Sequence, residues 1–179
     1  MIKSIWTPIL TGQLIRLRPI AEGDFNSLYA VACDPELWKL HSEPNRYEEK
    51  VFRSFFDKAL KSQGCLVIED VKTGRVIGSS RYYEYVPDRK QVVIGYTFLE
   101  RAVWGGVYNK ELKRLMLDYA FQHVETVLFH TSDSNLISQR ALAKLGARKR
   151  KGLIDLPGIG LRIEYSLTKE DWQSLRGES

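Results

Sequence analysis

Cysteine and histidine are scarce in this chain. Its 179 residues hold two cysteines, Cys33 and Cys65, and three histidines, His41, His123 and His130. Two thiols far apart in sequence build no disulfide framework, so both are expected as small apolar residues. Scattered imidazoles without paired thiols match no zinc-ligand spacing, so no metal is expected. Long apolar runs are missing too. None approaches the roughly 18 residues of a spanning helix. The opening MIKSIWTPILTGQL lacks a signal-type apolar core, so no membrane contact and a cytoplasmic location are expected. No repeat, low-complexity tract or Pro/Gly/Ser linker divides the chain, and one domain over 1–179 is expected. Several motifs are also absent: the G-x-x-x-x-G-K-[ST] phosphate loop, G-x-G-x-x-G after the first strand, and the G-x-S-x-G elbow. No RNA-recognition or helix-turn-helix pattern stands out.

What is present is ordinary globular composition, 44% hydrophobic and 27% charged, with a formal charge of +5 and a pI near 9.2. Such a chain can bury roughly 70% of its unfolded surface and needs no staple. The mild positive charge fits an anionic small ligand, an acidic substrate or weak nucleic-acid contact, and does not choose among them.

Apolar periodicity supplies the elements. Gln13 to Pro19 alternates and reads as a strand. Asp24 is placed to cap a short helix over Phe25 to Cys33. Tyr47 to Lys61 reads as a second helix with Val51, Phe55 and Ala59 on one face. Asp34 to Arg46 between them is irregular. Strands follow at Cys65 to Asp70, Val76 to Tyr85 and Gln91 to Leu99. The last is mostly apolar, hence central, and Gly95 within it suggests a bulge or a close backbone approach. After the loop RAVWGGVY, Asn109 to about Val124 is the strongest helix, striped by Leu112, Leu115, Met116, Tyr119 and Ala120. Val127 to Thr131 is a strand. Ser134 or Asn135 caps a helix that ends at Leu145 with Gly146 beyond it. Arg148 to Ile154 and Gly160 to Leu167 read as a closing hairpin. The order describes an α/β (α+β) chain.

The most informative feature is a central strand, a glycine-bearing loop and a helix start. Unpaired N–H groups and the helix dipole favour an anion there, and Gly105-Gly106 would let backbone approach a phosphate closely. Glu111 in the first turn competes with such an anion, or simply answers the dipole.

LIRLRPI with EGDFNSLY, GRVIGSSRYY, IGYTFLERAVWGGVYNKELKRLMLDYAF, SNLISQRALAKLGA and YSLTKEDW together resemble GNAT N-acetyltransferases. The likeness is strongest to the branch near the ribosomal-protein N-terminal acetyltransferases. It covers about Leu14 to Trp172, and Ile94 to Phe121 is its specific part. It implies a mixed central sheet of six to seven strands with helices on both faces. It also implies acetyl-coenzyme A as co-substrate and an amine acceptor, with a homodimer left open. The pyrophosphate loop maps to Trp104, Gly105, Gly106, Val107, Tyr108 and Asn109. Val107 stands where relatives have their main glycine, with Gly106 one residue early. The pantetheine arm would pair around Phe98, Leu99 and Arg101. Asn135 would contact the coenzyme and Ser138 would protonate the departing thiolate, although the plain reading is an N-cap for Asn135 and a first-turn polar residue for Ser138. Val93 replaces the glutamate that relatives often carry before the I-G pair. Glu84, Glu43, His41 or a held water remain as candidate bases. The implied chemistry is direct attack by the amine on the thioester.

Two other readings stay open: a catalytically weak coenzyme or acyl-ligand sensor, and a basic nucleic-acid or ribosome-associated module. Arg148-Lys149-Arg150-Lys151 could reach an anion or face water. Tyr82, Tyr83 and Tyr85 could line a cleft or pack the sheet. Acceptor specificity is expected in irregular segments such as Asp34 to Arg46.

Overall fold

Period-two alternation sets the first sheet. In Ile15–Pro19 the side chains of Ile15 and Leu17 are fully buried and Arg16 faces water. The computed structural model describes residues 4–156 and 159–177. These divide into two compact units, residues 4–83 with 96–118, and residues 84–95 with 119–177.

The first unit opens with β1 (Leu10–Thr11) and β2 (Ile15–Pro19), followed by helices α1 (Phe25–Ala32) and α2 (Glu49–Lys61). Next come β3 (Cys65–Asp70), most of β4 (Val76–Val86), the second half of β5 (Gln91–Leu99) and most of α3 (Val107–Ala120). β1 to β4 pair antiparallel in chain order. One face carries α1 and α2, whose Phe25, Leu28, Phe52, Phe55 and Phe56 pack with Val67 and Phe98. On the other, the buried Tyr82 hydroxyl donates to the carbonyl of Met116 on α3 at 2.7 Å. Tyr82 thus packs the sheet, while Tyr85 is exposed.

The second unit holds the end of β4 and the start of β5, followed by β6 (Thr126–Thr131) and α4 (Leu136–Lys144). β7 (Arg148–Lys149), β8 (Ile154–Leu156), β9 (Gly160–Thr168) and α5 (Lys169–Gly177) complete it. β5 and β6 pair in parallel, β9 lies antiparallel to β6, and β7 and β8 both pair with β9.

Several expectations need correction. The described strands number nine, not six or seven, because β1, β7 and β8 are too short to show a period. The closing hairpin is interrupted, and α5 follows it with no buried residue to announce it. α2 begins at Glu49, and its buried face is Phe52, Phe55, Phe56 and Ala59. Cys65 is buried but Cys33 is exposed. The Asp24 carboxylate does not cap α1. It takes two bonds from Arg18, at 2.7 and 2.8 Å, and one from the Ala21 N–H at 2.7 Å. The left-handed residue of β5 is Tyr96, at φ 52°, and not its neighbour Gly95.

Glu111, read from sequence as a rival of a bound anion, serves elsewhere. It accepts from the N–H groups of Gln13, Leu14 and Ile15 at 2.9, 2.8 and 2.9 Å, closing the turn between β1 and β2. Gly12 makes room, since a Cβ there would lie 2.5 Å from the carboxylate. Burial pushes the Glu111 pKa up, but the three N–H donors outweigh it and hold it below the usual range. Its stabilisation is therefore full above an unfolded pKa of about 4.3 and fades as pH falls through the lower folded value. Glu111→Gln sets an NH₂ against one of the three donors, and should cost about 2 kcal/mol in urea unfolding at pH 7. That deficit should shrink toward pH 3, and a constant deficit would refute this account.

Candidate functional site

The sequence-selected loop leaves β5 at Leu99. Arg101–Val103 forms a single 3-10 turn. The Trp104 indole N–H then folds back onto the Leu99 carbonyl at 2.8 Å, tying the loop to its strand. α3 starts at Val107, two residues before the expected Asn109. Val107 thus has the helical backbone that a β-branched residue favours over φ > 0. Its side chain is exposed rather than packed. The left-handed residue is Gly105, at φ 69°. The space around both glycines is open: a Cβ at Gly105 would meet nothing within 4 Å, and one at Gly106 only the Trp104 carbonyl at 3.9 Å.

Tyr108 anchors the first turn of α3, its hydroxyl donating to Asp70 at 2.8 Å. Asp70 also accepts from the Thr73 hydroxyl and N–H, and these bonds with Tyr108 hold its carboxyl below the usual range. The Arg101 guanidinium bonds Asp34. Phe98 is buried under α2, and Asn109 is half-buried on α3. Among the described residues, β5 pairs with β6 only over Gln91–Val93. The backbone from Tyr96 to Leu99 takes no part in that pairing.

Gly105, not Gly106, supplies the permissive geometry of this loop. Gly105→Val forces a β-branched residue to φ 69° and should cost about 1–3 kcal/mol of stability. Gly106→Val should be nearly neutral for the ligand-free protein. Urea unfolding of both variants checks this, and the reverse ranking would refute it.

In the second unit the Asn135 side chain accepts from the Ser138 N–H at 3.0 Å and caps α4. Gly146, at φ 86°, ends that helix as read from sequence. Glu84 is exposed on β4 at φ 48°. No hydrogen bond or ion pair joins Glu84 to Ser138 among the described residues. Val93 is fully enclosed in β5. The basic run is partly spent within its unit: Arg148 pairs with Asp171 and Arg150 with Glu164, both at 2.7 Å. No group of three or more His, Cys, Asp or Glu side chains among the described residues is arranged to hold a metal ion. No described helix is long and apolar enough to cross a membrane.

The structure adds a cluster that the sequence reading missed. The irregular segment before α2 turns inward at Trp38, whose indole N–H donates to the Ala32 carbonyl at 2.7 Å. Arg46, 4% exposed, stacks over Trp38 and Phe55 at 5.0 and 4.5 Å and forms an ion pair with Glu43. Burial pushes the Arg46 pKa down. Burial works the other way on Glu43, but the Arg46 hydrogen bond holds that carboxyl low, which makes it a poor base. The His41 ring lies edge-on to Trp38. From β4, Arg81 reaches the same aromatic group, over Tyr96 at 4.5 Å and Phe55 at 5.3 Å. Tyr83 packs on Tyr96.

A family model described as the acetyltransferase (GNAT) domain matches residues 15–148. A GCN5-related N-acetyltransferase from Brucella melitensis superposes with a TM-score of 0.81 at 20% identity, over 95% of this chain and 82% of its own. A structure from T. thermophilus, described at the level of an acetyltransferase assignment, gives 0.75 at 28% identity, over 95% and 94%. Mycobacterium smegmatis RimJ in complex with CoA-disulfide gives 0.72 at 18% identity, over 97% and 96%.

Proposed function

The chain belongs to the GNAT acetyltransferase family, and on that premise we propose that it moves an acetyl group from acetyl-coenzyme A to a primary amine. The acceptor is a small molecule or a peptide N-terminus, as in the ribosomal-protein branch that Ile94 to Phe121 resembles. The observation that carries this reading is the open loop at Gly105-Gly106, set between the end of β5 and the start of α3. Backbone N–H groups at a helix start are suited to a pyrophosphate, and the free space beside both glycines fits one. The family match runs through both compact units, which supports treating them as one acetyltransferase domain.

In the proposed reaction the neutral amine nitrogen attacks the thioester carbonyl carbon. The C–N bond forms, the C–S bond breaks, and the nitrogen gives up one proton. A β5 backbone N–H answers the charge developing on the carbonyl oxygen. Ser138 is proposed to protonate the thiolate and Glu84 to take the amine proton, directly or through water. Trp104, Gly105, Gly106, Val107, Tyr108 and Asn109 would hold the phosphates. Phe98, Leu99 and Arg101 would flank the pantetheine arm, and Asn135 would contact the coenzyme. No metal and no membrane enter this scheme, and a cytoplasmic location suits it. The substitution of Val93 for the family glutamate motivates a second reading, a coenzyme or acyl-ligand sensor without turnover.

Acetyl-coenzyme A at about 100 times its Kd should stabilise the folded protein by roughly 2.7 kcal/mol. Thermal denaturation with and without ligand measures this. No shift at millimolar ligand would count against both readings. Thioester consumption over a panel of amines and peptides then separates them, since the sensor binds without turnover.

A further inference from the structure

Arg46 and Arg81 bring two guanidinium charges into one aromatic enclosure in the first unit. Among the described residues a single carboxylate, Glu43, forms an ion pair with either of them, and it is itself more than half exposed at 54%. Arg81 is 6% exposed and lies against the buried Cys65 thiol, and its Nε and Nη2 meet no hydrogen-bond partner of good geometry among the described residues. Rings of Phe55 and Tyr96 attract a cation through their faces, but they cannot accept the in-plane N–H bonds of a guanidinium. A buried cation with idle donors is costly to keep. Beside it, Tyr96 is held at φ 52°, a rare backbone state for an aromatic residue. Tyr83 and Tyr96 are half-buried, not sealed. Arg46 lies in the irregular segment where acceptor specificity is expected.

We propose that this cluster seats an oxyanion carried by the acceptor, a carboxylate or phosphoryl group, with Arg81 as its forked partner and Arg46 as the second charge. The planar guanidinium fork matches both groups bidentately. Polyamines fit badly, because two buried cations would repel them. The proposal rests on the transferase reading and narrows its acceptor to amines that bear an acid.

Calorimetry with matched probe pairs tests it: 4-aminobutyrate against butylamine, and O-phosphoethanolamine against ethanolamine. At least one anionic member should bind wild-type protein tenfold or more tighter than its neutral partner, and which one does so identifies the group. Arg81→Met should bring each pair within about twofold while leaving acetyl-coenzyme A affinity unchanged, and Arg81→Lys should keep part of the preference. Equal binding within both wild-type pairs, no binding of either anionic probe at tens of millimolar, or a preference that survives Arg81→Met would overturn the proposal. Should Arg81→Met fail to fold, the wild-type pairs and Arg81→Lys decide. Failure of the transferase reading shows separately, as absent coenzyme binding and no thioester consumption.

Discussion

Gly78→Ala should destabilise the protein by about 3 kcal/mol and lower its melting temperature by roughly 10 °C. A Cβ at Gly78 would stand 2.0 Å from the Phe98 carbonyl oxygen and 3.1 Å from the Leu99 Cα. Both obstacles are backbone, so no rotamer change can relieve them. β5 must move away from β4, straining the bond from the Glu100 N–H to the Ile77 carbonyl, now 2.8 Å. The same shift displaces Phe98 and Leu99, the stretch proposed to flank the coenzyme. Acetyl-coenzyme A binding should therefore weaken along with stability. Gly23→Ala is the control, because a Cβ there meets nothing within 4 Å and its φ is not left-handed. It should change stability by less than about 0.5 kcal/mol. Urea unfolding of both variants decides the matter. A loss below about 1 kcal/mol for Gly78→Ala would mean that the two strands separate more easily than this contact implies.

Elements with a clean local signal were legible. Ile15 and Leu17 alternate with arginines, and Asn135 and Gly146 bracket α4 with cap chemistry that needs no knowledge of the rest. Other features depend on partners far along the chain. The donors that claim Glu111 are 96 to 98 positions away, so from sequence it resembled an ordinary first-turn acid. Ser79, Ser80 and Arg81 are polar, yet all three are buried because helices cover both faces of that sheet. Polarity marks exposure only where one face is wet. The left-handed residue of β5 is Tyr96, although glycine stands next to it. Arg46 and Arg81 lie 35 residues apart and share no motif. The loop at Gly105 was visible because its glycines, strand and helix are contiguous.

A half-buried lysine gives the last large effect. Lys113 sits on α3 in the first unit, with Nζ 3.2 Å from the Thr97 hydroxyl, which in turn lies 2.8 Å from the Ser80 hydroxyl. Burial disfavours its charged form and lowers its pKa to about 8. The unfolded chain keeps the ordinary value of about 10.4. Below pH 8 both states carry the proton, and the native state bears the full cost of housing the charge. Between pH 8 and 10.4 the native amine has lost its proton while the unfolded amine holds it, so stability from this group rises with pH. The gap corresponds to up to about 3 kcal/mol. Lys113→Met keeps a long apolar stem without the charge. It should stabilise the protein at pH 7 by up to about 3 kcal/mol, and the Thr97 hydroxyl keeps Ser80 as a partner. The gain should shrink as pH rises from 8 to 10. Urea unfolding of wild type and variant at pH 7, 8.5 and 10 isolates the group, because other titrations cancel in the difference. A variant less stable than wild type at pH 7, or a difference that does not change with pH, would mean that Lys113 is carried in its charged form without penalty.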